Sequence, residues 1–307
     1  MNPTVPRIDD GMRRRLVARF GVGVDAWLDE LPHVLGSLAT RWQVELGAVI
    51  PQGRMSVVVR CLMPDGRPAV LKVSPDRERL ANEAAALGRW GTAHTPSVYA
   101  VDENAGALVL EAIEPGTPLI ESSSYPRLES VADLLTSLHA TGVPDRSYPS
   151  LAQRVSYLFD MASRTYARRP DLAAVLSKDL YERGRRLAAR LAEQVRTTAL
   201  LHGDLTPRNI LDGGTERGLV AIDPAPCLGD DLSFDAVDLL LWQADDVDVI
   251  VARAEELAPA IDADANRILD WCTAFAGMVA LELAEADDSP TKHIEALASL
   301  AARAPTD

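Results

Sequence analysis

Between Ala199 and Pro226 the chain reads ALLHGDLTPRNILDGGTERGLVAIDPAP, a segment that few folds accommodate. Two short apolar runs, Leu200-Leu201 and Leu219 to Ile222, have the length and boundaries of buried strands. Each delivers an acid to its C-terminal end, Asp204 after the first and Asp223 after the second. Asn209 lies five residues past Asp204, and Gly213-Gly214 supplies a turn before the second run. A carboxylate, a carboxamide and a second carboxylate in this order suit phosphoryl transfer. The first takes the proton of an acceptor hydroxyl, and the other two hold magnesium on nucleotide phosphates.

The N-terminal part changes period at Val44. Before it, Asp9-Asp10 cap a helix through Phe20, and a second helix runs from Asp25 to about Trp42, both with apolar stripes. After it, Val44 to Ile50, Met55 to Met63 and Pro68 to Val73 read as strands, with Pro64-Asp65-Gly66-Arg67 as the turn between the last two. Gly47, Gly53, Gln52, Arg54 and Ser56 form a loop that matches a phosphate-covering glycine loop only loosely. Lys72 stands inside the apolar run Ala69-Val70-Leu71-Lys72-Val73, where an ammonium needs a compensating charge. Glu83, on an alanine-rich helix from about Asp76 to Trp90, is the expected partner, with Glu78 as a second candidate. Ser97 to Val101 and Ala107 to Glu111 complete five strands.

Beyond Pro118 helical periods dominate: Arg127 to Ala140, Leu151 to Met161, Asp171 to Val195, Phe234 to Trp242, Val249 to Leu257 and Ala263 to Glu285, with a peripheral tail from Asp287. His139 reads as a C-terminal cap of its helix. Asp235 reads as a helix N-cap. His202, two residues before Asp204, is open to two readings, general base or buried scaffold.

The His-x-Asp spacing followed by Asn resembles the catalytic loop of protein kinases. With Gly203 after the histidine and Ile222-Asp223-Pro224 in place of D-F-G, it more closely resembles the aminoglycoside phosphotransferases. The W-C-T-A-F-A stretch at Trp271 and the D-P-A-P run look most like the streptomycin 6-kinase branch, the aminoglycoside/hydroxyurea resistance kinases. The resemblance implies an α+β, bilobal protein-kinase-like fold. Its smaller lobe, 1–113, would hold the leading helices, an antiparallel five-stranded sheet and a helix, and the helical lobe, 114–307, the catalytic loop and acceptor site.

It also implies roles. Asp204 would be the base, Asn209 and Asp223 the Mg²⁺ ligands, and Lys72 with Glu83 and Ser56 the ATP phosphate contacts. Glu111 and Ile113, at a stretch resembling the kinase hinge, would meet adenine through their backbone. His202 would be scaffold, and Asp235 would brace the catalytic loop. The acceptor would be an aminoglycoside hydroxyl, for which Asp230, Asp231 and Asp238 offer carboxylates to a cation, as do Asp245, Asp246 and Glu282. Hydroxyurea, another antibiotic or an amino alcohol is the alternative acceptor, and a nucleotide-binding module without turnover the alternative class.

A net charge of −14 and a pI near 4.8 argue against a nucleic-acid partner and suit a cationic small molecule. Cys61, Cys227 and Cys272 show no paired spacing, as expected of a reducing cytoplasm. Met1 to Asp10 is polar, unlike a signal peptide, and no run nears the roughly 18 apolar residues of a membrane helix. Monomer and dimer are both compatible with these residues.

Overall fold

A computed structural model describes residues 5–306 apart from 52, 54, 141–143, 145 and 287–290, so Gln52 and Arg54 of the glycine loop lie outside the described residues. The chain forms two units, Met1–Gly116 and Thr117–Asp307.

The first unit opens with α1 (Asp10–Phe20), whose N-cap Asp9 accepts from the Met12 amide, and α2 (Asp25–Trp42). Then come β1 (Glu45–Ile50), β2 (Val57–Leu62), β3 (Pro68–Val73), α3 (Arg77–Trp90), β4 (Val98–Asp102) and β5 (Ala107–Glu111). The strands pair antiparallel in the order β1-β2-β3-β5-β4. Side chains alternate along a strand, so Ala69, Leu71 and Val73 of β3 share a core with Met12, Leu16, Leu28, Leu31, Leu35 and Leu38 of the leading helices. Val70 and Lys72 therefore point to the other face. That alternation aims Lys72 at α3, where Glu83 is enclosed among Leu80, Ala84 and Leu87.

The second unit contains α4 (Leu128–His139), α5 (Leu151–Arg168), α6 (Lys178–Glu193), β6 (Leu200–Leu201), β7 (Ile210–Asp212), the one-turn α7 (Gly214–Arg217), β8 (Leu219–Ala221) and β9 (Cys227–Leu228). It ends in α8 (Ser233–Leu241), α9 (Val247–Ala260), α10 (Ala265–Ala286) and α11 (Thr291–Ala301). Every residue from Trp271 to Met278 in α10 is buried, the mark of a helix enclosed on all sides. It packs on α6, α8, α9 and α11, with Phe159, Phe234, Trp271 and Phe275 joining rings around it. Among the described residues no helix is long and apolar enough to cross a membrane.

Three expectations are corrected. The helix expected over Asp171 to Val195 is broken: a 3₁₀ turn covers Pro170–Ala174, and α6 begins after Ser177, whose hydroxyl accepts from the Leu180 amide. The helix starting at Leu151 continues past Met161 to Arg168. The tail expected to be peripheral from Asp287 contains α11, whose His293, Leu297 and Leu300 are buried as the helix packs on α10.

Candidate active site

Two short antiparallel pairs carry the acids. β6 pairs with β9, Leu200 opposite Leu228 and Leu201 opposite Cys227, and runs straight into His202-Gly203-Asp204. β7 pairs with β8 in the register Ile210 opposite Ala221, and the Ile222 amide donates to the Asn209 carbonyl at 2.8 Å. Asn209, just before β7, and Asp223, just after β8, therefore end up side by side. Asp223 adopts φ 54, a left-handed conformation that aspartate tolerates better than most residues and that gathers at functional sites. Asn209 uses both amide hydrogens on the first acid, donating from Nδ2 to the Asp204 carbonyl at 2.9 Å and to Asp204 Oδ2 at 3.0 Å. Its Oδ1 thus faces away from Asp204.

The residue between His202 and Asp204 must be glycine. Gly203 has φ 75, and a Cβ there would lie 2.1 Å from the Ala225 carbonyl oxygen. This close approach lets the Ala225 amide donate to the His202 carbonyl at 3.0 Å, binding the loop to the segment after Asp223.

His202 is fully buried. Its Nδ1 accepts from the Asp204 amide at 3.3 Å, so the ring proton sits on Nε2, which donates to the Ile222 carbonyl at 3.1 Å. Burial holds this imidazole below its ordinary pKa, in agreement with a neutral ring. With both nitrogens engaged on backbone, His202 ties the Asp204 loop to the strand end that carries Asp223. Asp235, on α8, holds the same loop from beneath. Its Oδ2 accepts from the His202 amide at 2.8 Å and its Oδ1 from the Gly203 amide at 2.9 Å. His139 Nε2 reaches Asp235 Oδ2 at 2.9 Å, so His139 is a partner of Asp235 rather than a simple helix cap.

A cavity opens beside Asp204, lined by Leu158, Phe234, Phe275 and Met278 and by the carboxylates of Asp238 and Glu282. Burial first, then the charges of Glu282 and Asp204, push the Asp238 carboxyl up to about 7. Asp230 and Asp231, expected to offer carboxylates to the acceptor, have oxygens that brace the chain itself. Asp230 accepts from the Arg196 amide and Thr198 Oγ1, and Asp231 from Arg267 Nε and Trp271 Nε1, both at 2.7 Å. Neither residue lines the cavity. Trp271 and Trp242 are buried in the core.

In the first unit Lys72 Nζ meets both oxygens of Glu83, at 2.6 and 2.7 Å, with the two side chains only 8% and 1% exposed. Glu78, the second candidate partner, lies exposed in the first turn of α3. Ser56 is buried immediately before β2. Gly53 closes on it so tightly that a Cβ would lie 2.3 Å from the Ser56 carbonyl oxygen. Glu111 ends β5 with its amide donated to the Ser97 carbonyl at 2.9 Å, and Ile113 follows two residues later.

A family model described as aminoglycoside/hydroxyurea antibiotic resistance kinase matches residues 41–287. The chain belongs to that family. A streptomycin 6-kinase from Streptomyces griseus is 27% identical over 283 residues, covering 87% of each chain. A hydroxyurea phosphotransferase from Kitasatospora aureofaciens is 30% identical over 211 residues, covering 66% of this chain and 59% of the relative. An ethanolamine kinase structure from Plasmodium vivax has the same fold, with a TM-score of 0.57 at 12% identity, over 96% of this chain and 97% of that one.

This resistance kinase is accordingly a small-molecule phosphotransferase of protein-kinase-like fold that uses ATP. The donors at the ends of β7 and β8 fit Mg²⁺. Asn209 Oδ1 and the Asp223 carboxylate are hard oxygens, and Mg²⁺ takes one or two such protein ligands beside phosphate oxygens and water. Among the described residues no three His, Cys, Asp or Glu side chains gather as a metal cage.

In the kinase's first unit, Glu83→Ala takes both carboxylate contacts from an enclosed ammonium. It is expected to cost about 3–5 kcal/mol in a denaturant titration, and Lys72→Met with Glu83→Leu to recover more than half. A single-variant cost below about 1 kcal/mol would show the pair to be dispensable.

Proposed function

We propose that this kinase moves the γ-phosphoryl group of ATP to a hydroxyl of an aminoglycoside of the streptomycin type, at its 6-position, and so confers resistance. The observation that carries the reading is the joining of Asp204, Asn209 and Asp223 by two strand pairs and one shared side-chain hydrogen bond. Asp204 accepts the proton of the acceptor hydroxyl. The freed oxygen forms its bond to the γ-phosphorus while the bond to the β–γ bridging oxygen breaks, and ADP leaves with that electron pair. Asn209 and Asp223 would hold Mg²⁺, which would supply neutralising charge on the phosphates. Lys72, held by Glu83, takes the α- and β-phosphates, Ser56 belongs to the loop over them, and Glu111 and Ile113 offer backbone to adenine. Its use of ATP, a cytoplasmic phosphoryl donor, supports a cytoplasmic location.

The acidic cavity favours a cationic acceptor. Asp238 and Glu282 beside Asp204 attract guanidinium or ammonium groups, whereas neutral hydroxyurea gains nothing from them. Hydroxyurea remains the second reading, supported by the 30% identity to a hydroxyurea phosphotransferase.

A coupled ADP-release assay across streptomycin, hydroxyurea and choline separates these acceptors. Because Asp238 has its carboxyl raised to about 7, it gains its charge as pH rises through neutrality. The KM for streptomycin is expected to fall roughly tenfold between about pH 6 and pH 8, and Asp238→Asn to abolish that fall. A flat KM, or turnover with hydroxyurea alone, would remove the cationic acceptor.

A further inference from the structure

We propose that Arg154 is a positioning residue for the base, a role that rests on Asp204 acting as the proton acceptor. Its guanidinium forks across two successive residues of the catalytic loop. Nε donates to the Gly203 carbonyl at 2.7 Å and Nη2 to Asp204 Oδ1 at 2.9 Å. Asp204 Oδ2 is already taken by Asn209 Nδ2. The carboxylate is therefore held at both oxygens, which fixes its plane at the wall of the cavity it lines.

The grip is built into the chain below it. Arg154 stands in the first turn of α5, which is fixed by a capping box: Ser150 Oγ accepts from the Gln153 amide, and Gln153 Oε1 accepts from the Ser150 amide. The same N-terminus is sewn to β9, with the Leu228 amide donating to the Pro149 carbonyl at 2.8 Å and Ser150 bridged to Leu228. β9 pairs with β6, and β6 ends one residue before His202. One small sheet thus carries both the base and the arginine that holds it, so their separation does not depend on flexible chain.

Burial and charge argue against an incidental contact. The Arg154 side chain is 10% exposed and Asp204 30%, unlike the open ion pairs of the surface, which contribute little. Asp204 and Asp235 both act electrostatically on Asp238, and Arg154 offsets their negative charge there. A planar fork meets a carbonyl and a carboxylate together, which a lysine ammonium cannot reproduce.

The test uses the full-length protein with ATP, Mg²⁺ and whichever acceptor it turns over. Arg154→Ala is expected to lower kcat roughly ten- to a hundredfold with KM for ATP within about threefold, because a misaimed base slows chemistry without loosening nucleotide. Tens of millimolar guanidinium should return much of the loss, and sodium chloride at equal ionic strength should not. Arg154→Lys, which keeps the charge and the fold, should show most of the same loss. In an Asp204→Asn background, removal of Arg154 should cost less than about twofold further. The inference is overturned if Arg154→Ala or Arg154→Lys keeps wild-type kcat, if guanidinium fails to rescue an Ala variant of unchanged Tm, or if the loss is as large without Asp204. Wild-type turnover by Asp204→Asn itself would instead bring down the assignment of the base.

Discussion

Asp204→Asn is expected to lower kcat by roughly two to four decades while leaving KM for ATP within a few-fold. The substitution keeps the size of the side chain and an oxygen for Arg154, so the loop held by Asp235 and His202 stays in place. It loses the capacity to accept the acceptor's proton, and it sets an amide against Asn209 Nδ2, which now donates to Asp204 Oδ2. On the proposed roles other residues hold the nucleotide, so its binding should persist. The measurement is a steady-state titration of both substrates, paired with a thermal melt to show that the variant is folded. A folded variant with kcat within tenfold of wild type would mean that the proton leaves by another route.

The second large effect belongs to Asp235, which is buried beneath the catalytic loop at the wall of the cavity. Its two oxygens accept from the amides of His202 and Gly203 and from His139 Nε2. Asp235→Ala leaves these donors buried without a partner and is expected to cost about 3–5 kcal/mol, or roughly 10 °C in Tm. Activity should fall by at least about a hundredfold even where the protein remains folded, because the loop carrying Asp204 is no longer pinned. Burial alone would raise the Asp235 carboxyl, but the hydrogen bonds from His139 and the Gly203 amide hold it below the ordinary carboxylate range. A depressed carboxyl stabilises the fold above its unfolded pKa of about 3.9 and loses that contribution as pH falls through the folded value. The wild-type melt should therefore respond to acid below about pH 4 more steeply than that of Asp235→Ala. Equal acid sensitivity in the two proteins would contradict this role.

What the sequence disclosed and what it hid divide along a physical line. The Lys72–Glu83 pair, which the structure joins, and the proposed site residues Asp204, Asn209 and Asp223 stand at short spacings within or beside single strands and helices, where residue chemistry makes them candidates. The five antiparallel strands were legible for the same reason, since Ala69, Leu71 and Val73 alternate with Val70 and Lys72. Arg154 was not, because an arginine on an amphipathic helix looks like surface until the fold brings Gly203 and Asp204 to it. His139 meets an acid ninety-six positions away, and no local pattern announces such a pair. Asp230 and Asp231 read as substrate ligands from their place after the motif, and no local pattern announces that Arg196, Arg267 and Trp271 from distant segments bond to them. The break before α6 did leave a signal in Ser177 followed by Asp179 in the first turn, which the apolar period of the neighbouring helix masked.

The most direct measurement is ³¹P NMR of the acceptor after incubation of streptomycin, ATP and Mg²⁺ with the wild-type protein and with Asp204→Asn. A phosphate ester on streptomycin should appear in step with ADP in the first reaction and be absent from the second over the same interval. ADP accompanied only by inorganic phosphate, or equal ester formation by both proteins, would contradict the assignment of Asp204, Asn209 and Asp223 as the phosphoryl-transfer site.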